Sequence, residues 1–308
     1  MLAVLCAHPA AAAETLRVGK AVAQNFGFIP LDVGIANGMF KAEGIEIEKF
    51  DFTGGSKQQQ ALTAGSIDIA LGAGTDLAFI VKGAPELGVA SITSSPAFMG
   101  ITVAEDAGVR GVDDLKGKRL GVTSPGSLTF WLVEELNRVK GWGKDGAAPI
   151  VIGGQTAIEI AALKTHQVDG FLANTATGYA FDELKIGHLL LPASAYVDEI
   201  ELFTTIASTA ILEKSPDAVR RFLKAWYDTV AYMKNHKAET VATMHTITGF
   251  SEVVEEREYD ALMPAFSSDG RFKPKALETI RTIFADLKVL DGPVDLSQLT
   301  TEQYLPKK

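Results

Sequence analysis

Along the first two thirds of the chain, short apolar runs alternate with amphipathic stretches, and glycine-containing turns separate them. The runs over residues 16–21, 45–52, 67–71 and 87–91 read as strands, with helices over 28–40, 56–64 and 76–81 between them. A second set follows, with strands over 100–103, 119–122, 149–152 and 170–173 and helices over 127–139, 156–165 and 175–182. This alternation predicts an α/β fold of mainly parallel sheets flanked by helices. Ligands of such sheets bind beyond the carboxyl ends of the strands, where the loops gather. From Pro216 onward the pattern changes to long helices, with Ser215-Pro216 as a start signal. Val219, Phe222, Leu223, Trp226 and Val230 recur at helical spacing and mark a core face. The final segment, 292–308, reads as an irregular tail on the surface.

The two sets of elements echo each other. Arg17-Val18-Gly19 returns as Arg119-Leu120-Gly121, an offset of 102 residues. Ala61-Leu62 followed by Ile67-Asp68 returns as Ala162-Leu163 followed by Val168-Asp169, an offset of 101. The turns Gly54-Gly55 and Gly153-Gly154 precede these copies. Matches in the same order at nearly the same offset imply two duplicated lobes.

Composition narrows the function. The 308 residues are long enough for two lobes, and 47% hydrophobic with 22% charged residues is an ordinary globular balance. A net charge of −9 without a Lys/Arg block argues against nucleic acid. Residues 1–13 are apolar and then Ala-rich, which reads as the remnant of a secretory signal cleaved before Glu14. Cys6, the only cysteine, falls inside it, so the mature chain is expected to hold no disulfide or cysteine-bound metal. The five histidines lack metal-ligand spacing, and no nucleophile elbow or phosphate-binding loop appears. Gly72-Ala73-Gly74 opens a dinucleotide fingerprint, but Leu77 stands where the third glycine belongs. We therefore expect no catalytic residues, no metal and no cofactor.

The strand-to-helix turns supply the candidate ligand contacts. In the first lobe Gln24, Asn25, Phe26 and Phe28 offer amides and aromatic rings beside Gly27, the mixture usual in small-molecule pockets. Phe28 fits a ligand contact or a staple of the helix it starts. Gly55, Ser56, Thr75 and Asp76 lie at later turns, where Asp76 reads as a helix cap or as a partner for an amine or hydroxyl. Ser95 lies at a crossing between the lobes. In the second lobe Ser124, Gly126 and Ser127 stand 102 residues after the Gln24 region, and Gln155, Thr156, Asn174 and Thr175 complete the expected wall. Ser127 opens a helix, whose free N–H groups and partial positive charge suit an anion; it equally suits a plain N-cap. The equivalent place of the two loops favours the anion reading. Trp131, one helical turn further on, reads as core.

Three stretches carry a family resemblance: 25–48 (NFGFIPLDVGIANGMFKAEGIEIE), 52–71 (FTGGSKQQQALTAGSIDIAL) and 111–127 (GVDDLKGKRLGVTSPGS). They resemble the periplasmic solute-binding proteins of the nitrate/sulfonate/taurine group of ABC importers, which share their fold with the thiamine-pyrimidine precursor binders. The chain departs from the aromatic-acidic-proline turn frequent in that group, carrying Ala173-Asn174-Thr175-Ala176-Thr177 instead. The resemblance implies a two-lobed periplasmic-binding-protein fold of type II. Lobe I would comprise 14–97 and 201–308, with the C-terminal helices returning to it, and lobe II 98–200. Crossings would lie near 95–100 and 195–205. It also implies a monomer in the periplasm that captures a small organic anion, a sulfonate or carboxylate, by hinge closure. The partners would then be a membrane permease and its ATPase subunits. The alternative is a fold-sharing enzyme or binder acting on a thiamine-pyrimidine or menaquinone precursor.

Overall fold

A computed structural model describes residues 13–289 and 294–307. The expected secretory segment, with Cys6 and His8, lies outside the described residues apart from Ala13. The strands are β1 (Glu14–Lys20), β2 (Ile45–Asp51), β3 (Ile69–Ala73), β4 (Glu86–Thr93), β5 (Met99–Ala104), β6 (Arg119–Val122), β7 (Ala148–Val151), β8 (Gly170–Asn174), β9 (Gly187–Pro192) and β10 (Phe203–Ser208). The helices are α1 (Ile29–Ala36), α2 (Met39–Ala42), α3 (Gly55–Thr63), α4 (Leu77–Val81), α5 (Leu128–Val139), α6 (Thr156–Lys164), α7 (Thr175–Glu183), α8 (Thr209–Lys214), α9 (Pro216–Asn235), α10 (Lys237–Thr248), α11 (Glu252–Leu262) and α12 (Pro274–Asp286).

The strands form two five-stranded sheets, ordered β2-β1-β3-β10-β4 and β7-β6-β8-β5-β9. In each sheet four strands run parallel and one antiparallel strand, β10 or β5, is inserted second from the edge. The two orders are the same when β1 to β4 are matched with β6 to β9. Duplication is therefore visible in topology as well as in sequence. The repeated Arg and Asp explain why those letters recur. Arg17 donates through its backbone N–H and Nε to Asp68 Oδ2 and through Nη2 to Asp68 Oδ1, tying β1 to the segment before β3. Arg119 and Asp169 make the same three bonds between β6 and β8. The glycine two residues after each Arg leaves room for packing: a Cβ on Gly19 would meet Ile67, and one on Gly121 would meet Ile152.

Three expectations need correction. The single helix over 28–40 is two helices, because Gly38 adopts φ +69° after Asn37 and breaks the hydrogen-bond ladder. The second crossing occupies 193–202 rather than 195–205, since Phe203, Thr204 and Thr205 already belong to β10. The tail is irregular but not superficial. Gly88 of the edge strand β4 donates to Leu299 O and accepts from Thr301 N–H, and Leu299, Tyr304 and Leu305 are buried. This segment covers an edge that would otherwise expose unpaired backbone.

The C-terminal helices mostly return to the first sheet. α9 packs on α1 and α2, and Phe222 stacks on Phe40 at 5.3 Å. Its apolar stripe is buried as the spacing predicts. α11 instead reaches α7 of the second lobe, where Val254 joins the core around Phe171 and Phe181. Ser251 donates to Glu183 at 2.7 Å and Arg257 pairs with Asp182 at 2.9 Å across the same contact.

Candidate functional site

Between the sheets, at the carboxyl ends of the parallel strands, lies a cleft of about 480 Å³. Both sheets contribute to its wall, through the turns that follow β1, β2, β3, β6, β7 and β8. Of the expected contacts, Gln24, Asn25, Phe28, Gly55, Ser56, Thr75, Asp76, Ser124, Gly126, Ser127, Thr156 and Asn174 line it. Phe26, Ser95, Gln155 and Thr175 do not. Phe26 is fully buried, stacked against Phe98 and edge-on to Phe266 at 5.3 Å, so it supports the cleft floor from below. Ser95 caps the short turn of the first crossing by accepting from Ala97 N–H. Gln155 precedes α6 with its side chain off the wall, and Thr175 is buried at the first turn of α7.

Four helices of nine or more residues, α3, α5, α6 and α7, begin at this wall. The first N–H groups of a helix have no partner within it, and together with the helix dipole they attract negative charge. Of these four, only α5 is capped by a side chain. Ser127 Oγ accepts from Phe130 N–H at 3.2 Å and contacts Ser124 O and Thr129 Oγ1 at 2.8 and 2.9 Å. The hydroxyl is thus occupied within its own turn although Ser127 faces the cleft. No side chain caps α3, α6 or α7. Gly54, which precedes α3, has φ +146°, a conformation that suits glycine and brings the backbone to the wall. Asn174, before α7, spends its Oδ1 elsewhere: it accepts from Asn25 Nδ2 at 2.9 Å, a bond that joins the two lobes across the cleft. Trp131 is buried as expected, and its Nε1 donates to Asp286 at 3.0 Å in a further contact between lobes.

Apolar residues that the sequence reading did not single out complete the wall. Met99, Leu172, Phe203, Phe250, Phe284 and Leu287 face the cleft, and Phe203 packs on Phe28 at 5.0 Å. They come from β5, β8, β10 and the C-terminal helical region. Only the sheet pairing and helix return bring them here, so no local motif announces them.

The charged residues at the wall divide by depth. Lys57 and Lys82 lie toward the mouth. Asp76 and Glu159 are buried, at 9% and 4% exposure. Burial pushes both carboxyls up to about 7, and a backbone hydrogen bond from Ala73 at 3.0 Å offsets part of the effect at Asp76. Glu159 was not among the expected contacts. Its place in the repeat could have marked it, because it stands 101 residues after Gln58. Among the described residues, no His, Cys or Arg lines the cleft. Nor is there a group of three or more His, Cys, Asp or Glu among them able to hold a metal. No helix among them is long and apolar enough to cross a membrane.

Comparison with known proteins agrees with this architecture. The chain is 23% identical to the putative binding protein YtlA of Bacillus subtilis, over 96% of this chain and 90% of that protein. It is 22% identical to a putative aliphatic sulfonates-binding protein of the same organism, over 96% and 88%. The alkanesulfonate-binding protein SsuA of Xanthomonas axonopodis, solved with MOPS bound, superposes with a TM-score of 0.78 at 19% identity, covering 95% of this chain and 99% of that one. The fold also occurs in a point mutant of DszB, solved with biphenyl-2-sulfinic acid, at a TM-score of 0.70 and 15% identity over 95% and 97%. The NMT1/THI5 like family matches residues 25–240, most of the described chain, and with two mixed sheets around one cleft this chain belongs to that family.

Proposed function

We propose that this protein is an extracytoplasmic receptor of an ABC importer. It captures a small organic anion, a sulfonate or carboxylate with an apolar body, and delivers it to a membrane permease and its ATPase subunits. The observation that carries this reading is the meeting of three helix N-termini without side-chain caps at an apolar cleft between lobes. Backbone donors fixed in place bind an anion without the desolvation of a buried counter-ion, and the dipoles add to them. The aromatic and aliphatic wall then covers the rest of the molecule. We take lobe I as 14–97 with 201–308, lobe II as 98–200, and the protein as an exported monomer. Closure about the two crossings draws its free energy from contacts that both lobes make to one ligand.

Thermal-shift measurements with matched pairs, such as 4-ethylbenzenesulfonate and its sulfonamide, test the reading. An anion at a hundredfold excess over its Kd stabilises the protein by about 2.7 kcal/mol. The sulfonamide should have little effect. Stabilisation by neutral members only would remove anion capture.

A further inference from the structure

Gln58 on α3 donates through Nε2 to Gly19 O at 2.7 Å and Leu71 O at 3.0 Å, and so links β1 to β3. Glu159 on α6 is its counterpart one repeat later, and Leu62 and Leu163, four residues further on, are buried alike in the two lobes. An ionised carboxyl has no hydrogen to give to carbonyl oxygens. Glu159 makes no hydrogen bond or ion pair among the described residues, although it is only 4% exposed. The second lobe thus replaces an internal tether with an unpartnered carboxyl, and that carboxyl lines the cleft.

Thr156 and Glu159 stand three residues apart in the first turn of α6, so hydroxyl and carboxyl share the face that meets the cleft. The N–H groups of Ile158 and Glu159 bond Gln155 O at 2.9 and 3.0 Å, which leaves those of Thr156 and Ala157 for a ligand. An acid group held there lies against the carboxyl. Two like charges in contact, with little water between them, repel strongly. One proton reverses the sign, because a neutral carboxyl carries an O–H donor whose bond to an anionic oxygen is short and charge-assisted. The other charged groups on the wall are Lys57 on α3, Asp76 before α4 and Lys82 after it. None of them acts on Glu159, which burial alone shifts, and α5 and α7 bring no charged side chain to the wall. Asp76 Oδ2 is held by the Ala73 N–H at 3.0 Å, and Lys57 donates to Thr53 Oγ1 at 3.1 Å.

We propose that Glu159 holds the ligand's acid group as a hydrogen-bond donor: its protonated carboxyl binds beside the Thr156 and Ala157 N–H groups, so that capture of the anion takes up a proton. The inference rests on the anion-receptor reading and deepens it, since Glu159 then sets the pH at which the receptor binds. Burial already holds the carboxyl at about 7, and an acid group in contact raises it further. Below pH 6 the proton is in place before the ligand arrives. Above pH 7 each anion bound draws one proton from the solvent onto Glu159, and affinity falls as pH rises.

Calorimetric titration with 4-ethylbenzenesulfonate, whose acid group stays ionised throughout, tests the proposal at pH 6 and pH 8. Glu159→Gln keeps a donor but cannot titrate. Relative to that variant, the wild type should lose about tenfold in affinity between the two pH values, the change expected for one carboxyl that titrates near 7. At pH 8 its heats in imidazole and Tris buffers should differ by the uptake of about one proton more than the variant takes up. Asp76 titrates in both proteins, so the difference between them belongs to Glu159. Glu159→Ala offers no donor and should bind about tenfold more weakly than Glu159→Gln at both pH values. Thermal melts confirm that both variants are folded. Parallel pH profiles for the wild type and Glu159→Gln would overturn the proposal and leave the anion receptor standing. An alanine variant that binds as tightly as the glutamine one would do the same, as would failure of this probe at pH 6 while other sulfonates bind. Failure of every sulfonate and carboxylate would remove both readings.

Discussion

Glu159→Gln should make the free protein more stable, by an amount that depends on pH. Burial holds the Glu159 carboxyl at about 7 instead of 4.5, so the folded state binds its proton more tightly than the unfolded state does. That contribution is fully present below pH 4.5 and is lost as pH rises through about 7. Glutamine has no such dependence. Near pH 4 the carboxyl is largely protonated in both states, and wild type and variant should differ mainly by any hydrogen bonds the amide gains. Those resemble the bonds of Gln58 and contribute about 1 kcal/mol each at most. At pH 8 the variant should gain a further 3 kcal/mol or so, the free energy of moving one carboxyl from 4.5 to about 7. Urea unfolding at pH 4 and pH 8, with m-values checked for equality, measures the difference directly. Parallel pH profiles for the two proteins would refute the reasoning, because they would mean that Glu159 ionises in the folded chain as freely as in the unfolded one. The expected result is a stability cost retained at the binding cleft, a pattern common where function sets the residue.

Three further outcomes follow from the geometry. Ser127→Ala should lower stability by about 1 kcal/mol in thermal melts and leave anion affinity within about threefold, since its hydroxyl caps α5. Phe26→Ala should cost about 3–5 kcal/mol in urea unfolding, because the ring is buried against Phe98 and Phe266 beneath the cleft. Asn25→Ala removes the amide bond to Asn174 between the lobes; small-angle scattering of the free protein should show a larger radius of gyration than wild type.

Much of this architecture was legible because it is written locally and twice. The Arg-x-Gly strands and the Ile/Val-Asp segments recur at a fixed offset because each copy closes the same ion pair between the same two strands. The turns that face the cleft were legible for a related reason: glycine and cap residues mark where parallel strands end. What escaped depends on distant pairing. β10 reads as a crossing because its six residues become a strand only when inserted between β3 and β4. β9 is similarly short and needs β5 beside it. The tail escaped because its pairing to Gly88 joins segments far apart in the chain. Within the site, the ring of Phe26 suits a ligand contact by its chemistry, yet the short turn after Asn25 sends it to the core and Phe28 to the wall. Glu159 sits on α6 with no local motif to mark it. Only comparison with Gln58 shows that the second lobe lacks a bond there.

The central claim is that helix N-termini of both lobes hold an acid group inside the cleft. A crystal structure with the tightest-binding sulfonate or carboxylate of the thermal-shift series tests it most directly. The acid oxygens should lie about 3 Å from backbone nitrogens in the first turns of α3, α6 or α7, with the body of the ligand against Phe28 and Phe203. An acid group held outside the cleft, or turned toward solvent with no backbone donor in reach, would contradict it.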